Sequence, residues 1–317
     1  MAPLTQLSRR QWLAFGAAAG LTLASRRTRA AASVKVGLID LDLRPGALDD
    51  LKTVAVRQMS LWASGFQRAA KQSRDHHNDH AEVMARALAG AFASLAPDTR
   101  LELYVATPVI ERPDGRQVMD LDQLAFAFEW FAANGVRIVA ATFVGRDTPQ
   151  LAEAMSHARR HGLIVLASAG NGPTQNPVPA FPAAYDGVIA VSTTALAADR
   201  NAEERVLREV GMTRATYVDY AVRAPHLSSA ALRKDPEAAA LLGSSRAVSV
   251  AAGLLAAASA AVPVNDLEGA LTALDQLCHP VESDAAASGL AARGIIDMEW
   301  LRQRKPLLES SREKVPV

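Results

Sequence analysis

Four residues of this chain carry side chains suited to acyl transfer, and each stands where an element should begin or end. Asp40 closes the apolar run Val36-Gly37-Leu38-Ile39-Asp40, and His80 opens a helical pattern in Asp79-His80-Ala81-Glu82-Val83-Met84-Ala85. Asn171 lies between two glycines in Ala169-Gly170-Asn171-Gly172, and Ser245 stands at a helix start in Gly243-Ser244-Ser245-Arg246-Ala247. Singly, each has an ordinary structural reading. Asp40 reads as a cap or a ribose ligand, His80 as a surface or core imidazole, Asn171 as a left-handed turn and Ser245 as an N-cap. Jointly they supply a nucleophilic hydroxyl, an imidazole to take its proton, a carboxylate to orient that imidazole and a donor for a developing oxyanion.

Residues this far apart meet only if the fold gathers them at one edge. After Ser33 the chain alternates β-rich apolar runs (Val34–Ile39, Leu101–Val105, Val136–Phe143, Leu163–Ala167, Val188–Ser192) with helical patterns near His80–Leu95, Leu121–Ala133, Pro149–His161 and Ser245–Ala260. Such alternation predicts a doubly wound α/β domain: a mainly parallel sheet with helices on both faces. In such a sheet ligands bind where strands end and helices begin, and all four residues fall at such points. The apolar spacing of Leu48–Lys71 predicts an inserted helix. No repeat or composition break divides residues 33–301, so one domain is expected there, with 302–317 a charged tail.

The ordered set Asp40, His80, Asn171, Ser245 resembles the subtilisin-like serine peptidases, whose four motifs follow in this order. Phe181-Pro182-Ala183-Ala184-Tyr185 followed by Val188-Ile189-Ala190-Val191, then Ala224-Pro225 and Gly294-Ile295-Ile296-Asp297, extend the similarity over most of residues 34–301. The resemblance implies a three-layer sandwich and a serine endopeptidase. In it Ser245 attacks, His80 is base then acid, Asp40 holds the imidazole, and Asn171 with the Ser245 backbone N–H binds the oxyanion. Thr142, Phe143, Val144 and Gly145 would pair with substrate backbone. No cofactor and no metal are implied, and the partner is a peptide or protein substrate.

The chain departs from that pattern at several points. The family's Gly-Thr after the histidine is Ala81-Glu82, and a carboxylate there is expected to raise the His80 pKa. The usual Met and Pro near the serine are Arg246 and Ser249, and Val144 places bulk where a glycine is usual. A narrow cleft and restricted specificity follow as expectations. No pro-domain is seen between Ala32 and the first strand, so the domain is expected either to fold unaided or to be inactive when it folds. Two other readings compete. One is a pseudopeptidase that keeps the fold to bind peptide or protein. The other is a phosphate-ester hydrolase built on Asp40-Leu41-Asp42, with a phosphate cradle at Gly243-Ser244-Ser245-Arg246.

Charge and composition bound the rest. The chain has 317 residues, 50% hydrophobic and only 5% aromatic, so a large core must be built from Ala, Val and Leu. The net charge of +1 conceals an asymmetry: of 34 Lys and Arg, five (Arg9, Arg10, Arg26, Arg27, Arg29) lie in the first 32 residues, leaving 29 against 33 acidic residues. A mildly acidic body gives no reason to expect nucleic acid as a partner. Residues 1–32, with Ser8-Arg9-Arg10-Gln11-Trp12-Leu13, an apolar stretch and Ala30-Ala31-Ala32, resemble a twin-arginine export signal. The expected partner is therefore the twin-arginine machinery, the destination periplasmic or extracellular, and no stable membrane span should remain after cleavage. Cys278 stands alone, so the fold must hold without an internal disulfide. His76-His77-Asn78-Asp79-His80 reads as a polar loop, and His157 with His161 as helix-surface residues, rather than as metal ligands.

Overall fold

The computed structural model describes residues 33–60, 74–111, 117–171, 178–194, 215–224, 243–280 and 291–303. Residues 1–32, read above as an export signal, and most of the segment read as a tail lie outside them. A nine-stranded sheet runs through the domain, with strands numbered along the chain: β1 (Ser33–Ile39), β2 (Val54–Ser60), β3 (Arg100–Thr107), β4 (Val109–Glu111), β5 (Gln117–Met119), β6 (Ile138–Ala141), β7 (Ile164–Ser168), β8 (Ile189–Thr194), β9 (Tyr220–Arg223), β10 (His279–Pro280) and β11 (Gly294–Ile296). The order across the sheet is β10-β11-β9-β8-β7-β6-β1-β3-β2, with β4 and β5 forming a separate hairpin. Every pairing in the large sheet is parallel except β10 with β11.

Period-two alternation divides each central strand between two cores. Val36, Leu38, Leu103, Ile138, Leu166 and Val191 face α1 (Arg74–Leu95), α4 (Ser244–Ala261) and α5 (Leu267–Asp275). Ile39, Tyr104, Val139, Val165 and Ala190 face α2 (Leu121–Ala133) and α3 (Pro149–Arg160). Both faces are covered, which is why the strands read as continuous apolar runs. Helix starts are set by side-chain caps: Asp120 accepts from the N–H groups of Asp122 and Gln123, and Thr148 from that of Leu151, with Pro149 in the first turn.

The two helices that matter most for the site lie unusually close. A Cβ placed on Gly253 of α4 would collide with the Leu88 carbonyl of α1 and crowd Ala91. Only glycine permits this approach, and it brings the helix bearing His80 against the helix bearing Ser245.

Three expectations are corrected. Among the described residues the inserted helix expected at Leu48–Lys71 is not formed: residues 54–60 are the edge strand β2, paired in parallel with β3. The alternating, β-branched Val-Ala-Val suits that edge, and the i, i+3 pattern there was incidental. Residues 61–71 lie outside the described residues. The helix bearing His80 begins at Arg74, so His80 lies within the helix, and His76 and His77 belong to helix rather than loop. Their side chains are not among those described. Finally, a helical turn over 298–303 carries the fold two residues into the segment read as tail. Strands β9 and β10, the β4–β5 hairpin and α5 were not anticipated.

Candidate active site

Asp40 follows the last residue of central strand β1, flanked by β3 and β6. Its side chain is only 2% exposed, so its charge must be met by donors. It accepts from the Leu41 N–H at 2.7 Å, from the Thr142 hydroxyl at 2.7 Å and from His80 Nδ1 at 2.9 Å. The Nδ1 bond fixes the neutral imidazole with its proton on Nδ1 and leaves Nε2 as the acceptor.

Burial pulls the His80 pKa down, but the Asp40 hydrogen bond and charge outweigh it, and the net shift is upward from 6.5. The source is not Glu82. That carboxylate turns away to Arg44 Nη2 at 2.8 Å and Arg86 Nε at 3.0 Å, while Arg86 also grips Asp50 at 2.9 Å. Burial would raise the Glu82 pKa, yet these two arginines hold it below the usual carboxylate range. The expected Glu82 effect on His80 is thus replaced by an Asp40 effect. Two residues further along a helix points a side chain about 200° away.

Ser245 is the second residue of α4. Its hydroxyl donates to the Thr142 carbonyl at 2.9 Å, and among the described residues it has no hydrogen bond to His80. The three residues are nonetheless linked through Thr142. The Thr142 side chain donates its single hydroxyl proton to Asp40 and its backbone oxygen holds Ser245, while its N–H donates to the Ile39 carbonyl at 3.3 Å, an oxygen that also lies 2.8 Å from the Thr142 hydroxyl and competes with the carboxylate for that proton. A rotamer change frees the Ser245 hydroxyl from the Thr142 carbonyl, a motion of picoseconds to nanoseconds for an accessible side chain. Catalytic hydrogen bonds are commonly loose before substrate arrives.

Asn171 is oriented by residues that sequence reasoning passed over. Its Oδ1 accepts from the Ser244 N–H at 2.9 Å and the Ser244 hydroxyl at 3.0 Å. A backbone N–H can only donate, so these contacts assign the oxygen and leave Nδ2, beside Gly243, as a donor with no hydrogen bond among the described residues. The Ser244 proton being spent on Asn171, Ser168 must donate to Ser244 across 2.5 Å, and it accepts in turn from the Gly170 N–H at 3.3 Å. A one-way chain of hydrogen bonds therefore runs from the Gly170 turn to Asn171. It also caps α4, whose own N-cap, Gly243, has no side chain. The Gly-Ser-Ser run was the available signal for Ser244. The Ser245 N–H, second in the helix, has no intrahelical acceptor and points out of the first turn.

Of the expected substrate-facing segment, Thr142 is buried, Val144 is 52% exposed, and Gly145 forms an isolated antiparallel bridge with Phe181, its N–H donating at 2.6 Å. Thr142 thus acts within the polar cluster as well as at its edge. The backbone groups of Phe143 and Val144 make no hydrogen bonds among the described residues.

The phosphate arrangement is not assembled. Both Asp40 oxygens are engaged by protein donors, Asp42 is bonded by Gln58 at 2.9 Å, and the first N–H of α4 is taken by Asn171. Among the described residues no group of three His, Cys, Asp or Glu could hold a metal ion. His157 is half-buried, 3.2 Å from Glu129, and its ring lies against that of His161 at 4.5 Å between centroids and a tilt of 54°.

The sequence model of the subtilase family matches residues 32–270. The chain belongs to the subtilase family. Across 164 residues this subtilase is 26% identical to the minor extracellular protease Epr of Bacillus subtilis (strain 168), over 51% of this chain and 23% of that protein. Across 145 residues it is 28% identical to the major intracellular serine protease of the same organism, over 43% of this chain and 44% of that one. The subtilase therefore spans less than half the length of the curated relatives it matches. Among solved structures, the epidermin leader peptide processing serine protease EpiP from Staphylococcus aureus superposes with a TM-score of 0.55 at 15% identity, covering 86% of this chain and 75% of that one. That likeness is one of fold.

Proposed function

We propose that this subtilase is a serine endopeptidase of narrow specificity in which Ser245, His80 and Asp40 act as nucleophile, base and orienting carboxylate. The reading rests above all on one observation: the buried Asp40 carboxylate bonds His80 Nδ1 and, through Thr142, shares a residue with the Ser245 hydroxyl. Substrate lying along Phe143 and Val144 would bring a backbone N–H to the Thr142 carbonyl and displace the Ser245 hydroxyl from it. The released hydroxyl gives its proton to His80 Nε2 as Oγ attacks the scissile carbonyl. Asn171 Nδ2 and the Ser245 N–H donate to the resulting oxyanion. Protonated His80, stabilised by Asp40, then gives its proton to the leaving amine, and water repeats the sequence in reverse to release the acid.

Restricted cleavage follows from Val144, whose side chain stands where an extended peptide would pass. Export of the folded domain through the twin-arginine route is part of the same reading, because a fold without an internal disulfide can mature before translocation. One relative is extracellular and the other intracellular, so fractionation of cells carrying Arg9→Lys/Arg10→Lys is the test: the mature form should leave the periplasmic or extracellular fraction.

The contact of Ser245 with Thr142 rather than His80 favours a second reading, a catalytically silent module that binds peptides. A fluorophosphonate probe separates the two. Labelling that disappears in Ser245→Ala supports the peptidase, and absence of labelling in the wild type leaves the binding module.

A further inference from the structure

The segment that joins β1 to β2 is fastened to α1 on a face that does not carry His80. Arg86 makes the join: its Nη1 and Nη2 donate to the two Asp50 oxygens, each at 2.9 Å, and Nη2 also donates to the Ala47 carbonyl at 2.6 Å. Within α1, Arg86 Nε donates to Glu82 at 3.0 Å, and Arg44 completes the join by donating to the other Glu82 oxygen at 2.8 Å. The acceptors are presented by successive tight turns, in which the N–H groups of Ala47, Asp49 and Leu51 donate to the carbonyls of Arg44, Gly46 and Leu48. An isolated exposed ion pair contributes little, but a bidentate guanidinium within a network of charges is the exception. Its planar fork fixes direction as well as distance.

That segment starts at Asp40, so it meets α1 twice. At its start the Asp40 carboxylate engages His80 Nδ1, and further on Ala47 and Asp50 receive Arg86. Two and six residues beyond His80 the helix has turned by roughly 200° and 240°, so Glu82 and Arg86 project away from the imidazole. Ala81, Met84, Ala85 and Leu88 form a third face, buried in the core. Apolar burial is non-directional, and contacts made largely by alanine and leucine leave the roll of a helix about its own axis weakly defined. Asp40 on one side and the turns ending at Asp50 on the other define it. A roll of about 10° displaces an atom 5–6 Å from the axis by about 1 Å, and a displacement of that size can cost about 10²-fold in rate.

From this arrangement we infer that Arg86 is a positioning residue: by holding Ala47 and Asp50 it sets the roll of α1 and keeps the His80 ring seated on Asp40. The consequence for catalysis rests on the reading of Ser245, His80 and Asp40 given above, whereas the consequence for the His80 ring does not. Glu82 has the lesser part, since its bond to Arg86 lies within α1 and only the bonds to Asp50 and Ala47 cross from α1 to the other segment.

The test compares the full chain with Arg86→Met, Arg86→Lys and Asp50→Ala by two readouts. One is fluorophosphonate labelling, separated into probe affinity and maximal rate. The other is the His80 pKa, read by NMR titration of the ring, on which Asp40 is the charged group acting. Arg86→Met should lower the maximal labelling rate about 10- to 100-fold with affinity nearly unchanged, and should bring the His80 pKa down as the bond to Asp40 loosens. Arg86→Lys, which keeps the charge without the fork, should recover part of both. Asp50→Ala, at an exposed position, should move both in the same direction and add nothing in the Arg86→Met background, because the two residues act through one contact. Arg160→Met, which breaks the surface ion pair with Glu153 on α3, should move neither. A wild-type labelling rate and His80 pKa in Arg86→Met, effects of Arg86→Met and Asp50→Ala that simply add, or equal effects from Arg160→Met overturn the inference. If Arg86→Met fails to fold, Asp50→Ala and Arg86→Lys decide by the same readouts. Absence of labelling in the wild type would strike the catalytic reading instead, and the His80 titration would still decide the role of Arg86.

Discussion

Replacing Thr142 by Val removes one hydroxyl and leaves the backbone carbonyl that receives Ser245 in place. The lost contact is a 2.7 Å bond from a buried hydroxyl to the Asp40 carboxylate. The Ile39 carbonyl, which also loses the hydroxyl, retains the Thr142 N–H at 3.3 Å. The cost is therefore that of one charge-assisted hydrogen bond, about 1.5–3 kcal/mol. Urea unfolding should show it as a lower midpoint at unchanged m-value, and thermal unfolding as a fall of roughly 4–8 °C for a loss of about 2 kcal/mol. A second consequence is electrostatic. With one donor fewer, Asp40 concentrates its charge on His80, so the His80 pKa should rise further and the acid limb of kcat/KM should move to higher pH. Thr142→Ser, which restores a hydroxyl, should return both quantities toward wild type. Stability within about 0.5 kcal/mol of wild type together with an unmoved acid limb would refute the role assigned to Thr142.

Three further outcomes follow from the same geometry. Because Asp40 raises the His80 pKa, activity should rise with pH through a limb above 6.5. Asp40→Asn should shift that limb down and lower kcat by something on the order of 10⁴-fold, as read from pH–rate profiles. The linked stability has the opposite sense: with the folded pKa above the unfolded one, the stabilisation from His80 is complete below about 6.5 and is lost as pH climbs through the folded value, a dependence that Asp40→Asn should abolish in chemical denaturation. Gly253→Ala should drive α1 and α4 apart, destabilising the domain by about 1–3 kcal/mol and reducing kcat more than KM, since it separates His80 from Ser245. Glu82→Gln should leave the acid limb where it is and cost less than about 1 kcal/mol, the ordinary worth of a partly solvated ion pair; a limb that moves would restore Glu82 as a determinant of His80.

What the amino-acid order determined by itself was whatever depends on near neighbours along the chain. Apolar runs of strand length separated by helical periods specified the parallel sheet, and α2 begins and ends at the residues its pattern predicts, because Asp120 caps it and Gly135, at φ 75°, ends it. The candidate residues at strand ends were legible for the same reason: polar side chains stand out against buried runs. Tertiary structure decided everything that depends on partners distant in sequence. Leu48–Lys71 carries a spacing compatible with helix, yet pairing with β3 draws its centre into the sheet edge. Glu82 lies two residues from His80 but belongs to Arg44 and Arg86, while Thr142, more than a hundred residues from both Asp40 and Ser245, joins them. Local pattern limits what a backbone segment can form, whereas the competition among buried polar groups for a few donors and acceptors is settled only once the chain has brought them together.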